Sequence, residues 1–201
     1  MTINLEKKIG LLGGTFDPIH TGHLIVAELI RDEMGLEKVY IVPAKKHPFK
    51  DNNFIAGEEH RLKMIHLAID DNDHLEVSDV EIKANQISYT VDTVLKFQEQ
   101  REHDNWDIHF LMGMDNLNQL HKWKDPHKLV KMCKVVVFSR PGFKPAPESN
   151  EFLPFIQIIS VPLLEISSTQ IRDRVSKGRK IRYLVPPQIE SYIIKNKLYA
   201  P

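Results

Sequence analysis

Ile9-Gly10-Leu11-Leu12-Gly13-Gly14-Thr15-Phe16-Asp17-Pro18-Ile19-His20-Thr21-Gly22-His23 is the stretch that decides the fold. Ile9 to Leu12 is a short apolar run of the kind that forms a buried strand, and it ends at two glycines. From His23 to Met34 the spacing changes: Leu24, Ala27, Ile30 and Met34 fall on one helical face, and Gly35 supplies a stop signal. A strand that turns through Gly13-Gly14 into a helix brings backbone close to any ligand, because glycine tolerates a sharp turn and has no side chain in the way. The helix start then adds unpaired N–H groups and the positive end of a dipole, which favour an anion such as phosphate.

Outward from this unit the same alternation repeats. Val39 to Val42 is a second strand closed by Pro43, and Glu58 to Ile69 reads as a helix with Leu62, Ile65 and Ile69 aligned. Leu75 to Ile82 alternates like a strand, Tyr89 to Glu102 is helical, and Ile108 to Met112 is a strand ending at Gly113. Asp125-Pro126 is a helix cap followed by proline at the first helical position, opening a short helix to Met132. Val135 to Phe138 is a strand, Arg140 to Pro154 reads as a surface loop, and Ile156 to Val161 is another strand. Ser168 to Ser176 and Pro187 to Asn196 are the last helices. The order implies a single α/β domain over residues 1–201, Rossmann-like and doubly wound, with a mostly parallel sheet and helices on both faces. Ligands of such sheets bind beyond the carboxyl ends of the strands.

Composition narrows the partners. Lys plus Arg number 27, as do Asp plus Glu, so the formal net charge is zero. A nucleic-acid binder or a protein of anionic membranes usually carries a basic excess, so neither partner is expected. Cys133 is the one cysteine, which precludes an intramolecular disulfide and fits a reducing compartment. It precedes an apolar strand and reads as a buried structural thiol. No signal peptide is visible, and no apolar run approaches the roughly 20 residues of a membrane span. The expected location is the cytoplasm. A homo-oligomer is compatible with the sequence, which does not fix the oligomeric state.

Two segments carry chemistry. In the first, His20 and His23 flank the helix start, and Gly22 between them leaves room for a phosphate chain. Two imidazoles there can donate to phosphate oxygens as charge builds in a transition state. A partial metal site is the competing reading of His-x-x-His, but no third ligand stands at suitable spacing. Neither the P-loop nor the three-glycine dinucleotide fingerprint is present. The second segment, Ile166-Ser167-Ser168-Thr169-Gln170-Ile171-Arg172, opens a helix after the last strand. Ser167 and Ser168 are cap candidates, and Arg172 lies one turn in, so a guanidinium and a helix start form an anion clamp. A capped helix with a solvated arginine is the plainer alternative.

Together these segments resemble the nucleotidyltransferase superfamily with a His-x-Gly-His signature, and within it the bacterial nicotinate-nucleotide adenylyltransferases. Ser88-Tyr89-Thr90-x-x-Thr93, Gly113-x-Asp115, Leu120-x-x-Trp123 and Pro43 to Lys50 resemble further segments of that family, and the likeness runs from Lys8 to Tyr199. The resemblance implies an enzyme that joins ATP to nicotinate mononucleotide, giving nicotinate adenine dinucleotide and pyrophosphate, in NAD biosynthesis. It gives His20, His23 and Arg172 the catalytic role. It places Gly13, Gly14, Thr15, Phe16, Gly113, Asp115, Ser167, Ser168 and Thr169, with those three, around ATP. Asp17, Lys46, Lys50, Ser88, Tyr89, Thr90 and Trp123 are placed with the mononucleotide. For Trp123 a core position is the plainer alternative, for Ser88 and Thr90 a helix cap, and for the lysines ordinary solvation. The attacking phosphate oxygen is already anionic, so neither a strong general base nor a covalent intermediate is expected. The cofactor implied is Mg²⁺ carried by the ATP phosphates, without a dedicated protein metal site.

Overall fold

A computed structural model describes residues 7–45, 56–84, 89–100, 106–139, 144–162 and 164–200. Its strands are β1 (Lys7–Gly14), β2 (Lys38–Pro43), β3 (Leu75–Val77), β4 (Trp106–Gly113), β5 (Lys134–Ser139) and β6 (Ile156–Ser160). Its α-helices are α1 (Thr21–Met34), α2 (Glu58–Ala68), α3 (Thr90–Gln100), α4 (Met114–Leu117), α5 (Pro126–Met132), α6 (Ser168–Ser176) and α7 (Pro187–Lys195). The strands form one sheet in the order β3-β2-β1-β4-β5-β6, and every pairing is parallel. The expected mostly parallel sheet is thus wholly parallel among the described residues. The order reverses between β1 and β4, which makes the carboxyl ends of those two strands the crevice where doubly wound folds hold ligands.

Strand periodicity builds a core on each face. Ile9, Leu11, Tyr40, Val42, Ile108, Phe110, Met112, Val135 and Val137 point to one side, where Val94 and Phe97 of α3 and Leu129 of α5 cover them. Leu12, Val39, Ile41, Leu111 and Val136 point to the other, against Ile30 of α1, Ile65 of α2, Ile171 of α6 and Ile189 of α7. Strands buried on both faces read as near-continuous apolar runs, which is why they stand out in the sequence.

The differences from the sequence reading have local causes. The alternation over Leu75 to Ile82 yields a strand only to Val77, because the chain then leaves the sheet in turns that bury Val80 and carry the Glu81 carboxylate to the Thr93 hydroxyl at 2.6 Å. The supposed surface loop of Arg140 to Pro154 contains a 3₁₀ helix, Pro147–Phe155. Phe152 is fully buried there, and the Ser149 hydroxyl donates to the Leu117 carbonyl at 3.4 Å. Asp125 does precede α5, but in a left-handed conformation (φ 47°) and without a side-chain cap bond. β1, β2, β4 and β5 run a residue or more beyond the expected limits, because parallel pairing continues past the apolar runs.

Candidate active site

The turn between β1 and α1 is built by packing as much as by backbone freedom. A Cβ on Gly14 would come within 2.9 Å of Phe16 Cζ, so a larger residue there would displace the Phe16 ring from its place beneath the strand end. Phe16 is buried with φ 49°, and its ring meets His23 edge-on at 5.0 Å. The Asp17–Pro18 peptide is cis. The carbonyls of the turn are taken up from within: Thr15 O accepts from Arg61 Nη1 at 2.8 Å, Asp17 O from Arg172 Nη1 at 2.7 Å, and Pro18 O from Ser168 Oγ at 2.9 Å.

His20 caps α1, and its ring stacks on His23 with centroids 3.6 Å apart. The His20 backbone N–H donates to His23 Nδ1 at 3.3 Å. That bond requires a lone pair on Nδ1, so neutral His23 carries its proton on Nε2. Burial pushes the His20 imidazole down to about 4, so it is neutral at physiological pH. Its Nδ1 is buried without a hydrogen-bond partner. Gly22 completes the arrangement, because a Cβ there would lie 3.2 Å from His20 Nδ1.

The second turn is tied to the first. Of the two cap candidates Ser167 is the cap, its hydroxyl accepting from the Gln170 N–H at 3.1 Å. Ser168 is thereby released to bond Pro18. Arg172 donates to Asp17 O and, through Nη2, to Thr169 Oγ1 at 3.2 Å, while its side chain keeps 25% exposure and so remains reachable from solvent. Two helix starts, two stacked imidazoles and a guanidinium therefore converge at the carboxyl end of β1. Beside them, Gly113 ends β4 and precedes α4, with Asp115 exposed in that helix's first turn.

Residues 11–174 match the family model described as cytidylyltransferase-like. A Desulfitobacterium hafniense (strain Y51) protein named "Probable nicotinate-nucleotide adenylyltransferase" is 39% identical, over 99% of each chain. A Streptococcus pyogenes serotype M3 protein of the same name is 40% identical, over 96% of this chain and 89% of the other. The solved structure of Plasmodium falciparum nicotinic acid mononucleotide adenylyltransferase complexed with NaAD superposes with a TM-score of 0.80 at 25% identity, covering 96% of this chain and 98% of that one.

The chain belongs to the cytidylyltransferase-like family, among the nicotinate-nucleotide adenylyltransferases.

For a member of the nicotinate-nucleotide adenylyltransferases, the residues expected around the mononucleotide are distributed unevenly. Tyr89 and Thr90 stand at the start of α3, with Lys124 Nζ 4.9 Å from the Tyr89 ring centroid and 2.9 Å from Asp92. Trp123 is half-buried and packs against the core, its ring T-shaped to Phe110 with centroids 6.2 Å apart, so the core reading describes part of it. Asp17 departs from expectation. It is 1% exposed and lies beneath the turn, Oδ1 accepting from the Tyr199 hydroxyl at 2.6 Å and the Ala56 N–H at 3.1 Å. Phe16 offers a ligand only its backbone, since its ring is internal. Lys46, Lys50 and Ser88, and with them the path at Asn85 to Ile87, lie outside the described residues.

Arg61 and Tyr199 were not singled out from the sequence. Arg61 had a signal, since it continues the buried stripe of Met64, Ile65 and Ala68 on α2. A guanidinium on an apolar helix face needs internal partners. Tyr199 follows the last helix and has no periodic context that marks it.

Proposed function

We propose that this chain transfers the adenylyl group of ATP to nicotinate mononucleotide through the two joined turns, within one domain. The observation that carries the reading is the clamp itself: Arg172 and Ser168 of one helix start bond the backbone of the other at 2.7 and 2.9 Å, beside a stacked pair of histidines. Backbone amides at the two turns, His23 Nε2–H and the remaining guanidinium donors supply the chemistry of an anion cradle that suits a polyphosphate. The Plasmodium relative, whose structure carries NaAD, supports the choice of a pyridine mononucleotide as acceptor.

The chemistry is positioning and charge stabilisation. The mononucleotide phosphate attacks the α-phosphorus of ATP, and pyrophosphate leaves. His20 and His23 donate to oxygens of the α-phosphate as charge develops, and Arg172 neutralises the leaving pyrophosphate. Tyr89, Thr90 and Trp123 orient the nicotinate ring, and Gly113 and Asp115 receive the adenosine end. Among the described residues no group of three His, Cys, Asp or Glu side chains converges, and the Asp17 carboxylate is engaged internally. The cradle of N–H donors fits a triphosphate that brings its own Mg²⁺ ion, which would supply further charge neutralisation. We place the reaction in the cytoplasm; among the described residues no helix is long and apolar enough to cross a membrane.

The test is steady-state pyrophosphate release with ATP or CTP against nicotinate mononucleotide, nicotinamide mononucleotide and phosphopantetheine. Turnover highest with ATP and nicotinate mononucleotide, abolished by EDTA and restored by magnesium, is the expected result. Preference for phosphopantetheine or CTP would overturn the reading.

A further inference from the structure

Among the described residues, four buried side-chain atoms have no hydrogen-bond partner: Thr15 Oγ1, Asp17 Oδ2, His20 Nδ1 and Arg61 Nε. Three lie in the turn between β1 and α1, and the fourth belongs to a side chain that bonds it. Unpaired buried polar groups cost free energy, so their concentration at one turn marks a place where stability alone did not set the arrangement.

Asp17 is the centre of this group. Its Oδ1 accepts from the Tyr199 hydroxyl and the Ala56 N–H, and its Oδ2 lies 3.7 Å from Arg172 Nη1. Burial lowers the Arg61 pKa, and the Asp17 carboxylate opposes that shift. Anchors on α6, next to α2 and beyond α7 therefore meet at one carboxylate, and Arg61 of α2 holds the neighbouring Thr15 carbonyl. The backbone carries the consequence. Arg61 and Arg172 hold the carbonyls of Thr15 and Asp17 on either side of Phe16, whose left-handed φ of 49° is uncommon for a bulky residue. In a trans peptide the N–H points opposite to the C=O. Fixing the Thr15 carbonyl on Arg61 thus aims the Phe16 N–H away from that buried side chain.

We propose that Tyr199 and Arg61, which lie outside both sequence motifs, are positioning residues for the triphosphate turn, acting through the Asp17 carboxylate and the Thr15 carbonyl. The proposal rests on the reading of that turn as the ATP site. Tyr199 withdraws a buried carboxylate from the turn's open side, and Arg61 orients the peptide that faces the phosphates. Neither touches substrate.

Tyr199→Phe removes one hydroxyl and keeps the ring, so it is the mildest probe. KM for ATP should rise roughly fivefold to tenfold, less than the full worth of a hydrogen bond to a charged group because Tyr199 acts on the turn at second hand, with KM for nicotinate mononucleotide within about twofold. In an Asp17→Asn background the same change should have a much smaller effect, because the two residues act as one unit. Arg61→Lys should shift KM for ATP in the same direction, and it carries the test should Tyr199→Phe fail to fold. Thermal melts run alongside. An unchanged KM for ATP in both variants, whether or not Tm falls, assigns the two residues to the fold alone and overturns the proposal. Wild-type protein with no pyrophosphate release would remove the functional reading and this inference with it; normal wild-type turnover with unaltered variants removes only the inference.

Discussion

The Arg172 guanidinium donates through Nη1 to the backbone carbonyl of Asp17 at 2.7 Å, joining residues 155 positions apart in the chain. One side chain thus fixes the relative position of two helix starts. On the proposed mechanism Arg172 then has two roles, as a donor to phosphate and as the tie that holds the opposing turn.

Arg172→Ala should lower kcat by about 10²–10³, the usual effect of losing one oxyanion donor. It should also reduce stability by about 1–3 kcal/mol, since the Asp17 carbonyl loses a charged partner. Arg172→Lys separates the two roles. A lysine keeps the charge but lacks the planar fork that bonds Asp17 O and Thr169 Oγ1 together. Its kcat should remain well below wild type. Steady-state kinetics and urea melts on both variants check this, and a lysine variant with normal kcat would refute the double role.

Gly22→Ala tests the histidine stack. The added methyl would sit 3.2 Å from His20 Nδ1 and 3.3 Å from Cε1, tighter than ordinary contact, so the ring must turn. The stack at 3.6 Å should open and kcat should fall by about tenfold or more, because small misplacements of catalytic groups carry large rate effects. Alanine is a better helix former than glycine, so melting should change little. Kinetics beside a thermal melt distinguish a displaced ring from a damaged fold.

The sequence made the site's frame legible because its parts are local. Gly14, Gly22, His20 and His23 lie within one strand-turn-helix unit, and Ser167 to Arg172 within one helix start, so spacing alone places each set. Burial of both sheet faces made the strands legible in the same way. The rest is long-range. That Ser168 would bond Pro18, or Tyr199 would bond Asp17, depends on how β1, α6 and the segment after α7 meet, and no local pattern encodes it. Asp17 shows the difference most clearly. Its motif marks it as important, but only the tertiary partners reveal that its carboxylate faces inward. The 3₁₀ helix around Phe152 was hidden for a related reason, since proline-rich composition signals a loop unless a buried anchor pins it.

Cys133 should be inert. Burial pushes its thiol up to about 12, and the Sγ donates to the Leu129 carbonyl at 3.5 Å, so almost no thiolate exists at neutral pH. Labelling of native protein with a disulfide reagent should be slow and should accelerate only on addition of denaturant. Cys133→Ser should retain kcat and KM. Rapid native labelling accompanied by loss of activity would overturn this assignment.

Two buried groups, His20 and Glu81, contribute to stability against pH with opposite slopes. His20 titrates near 4 in the fold against 6.5 in the unfolded chain, so between those values the unfolded state binds a proton that the native state does not. Its contribution is whole above pH 6.5 and is lost as pH falls toward 4, amounting to about 3 kcal/mol across the window. Glu81, raised by burial to about 7 from 4.5, behaves in reverse: the folded carboxyl holds its proton while the unfolded one releases it, so its contribution is whole below 4.5 and lost as pH rises to 7. Where the windows overlap the two partly cancel. Relative to wild type, His20→Asn should therefore tilt the profile toward decline with rising pH, and Glu81→Gln toward a climb. His109, also lowered by burial, adds to the His20 slope in every variant and drops out of the differences. Urea midpoints measured from pH 4 to 8 for the wild type and both variants supply the curves. Parallel curves for all three proteins would show that neither side chain titrates differently in the fold.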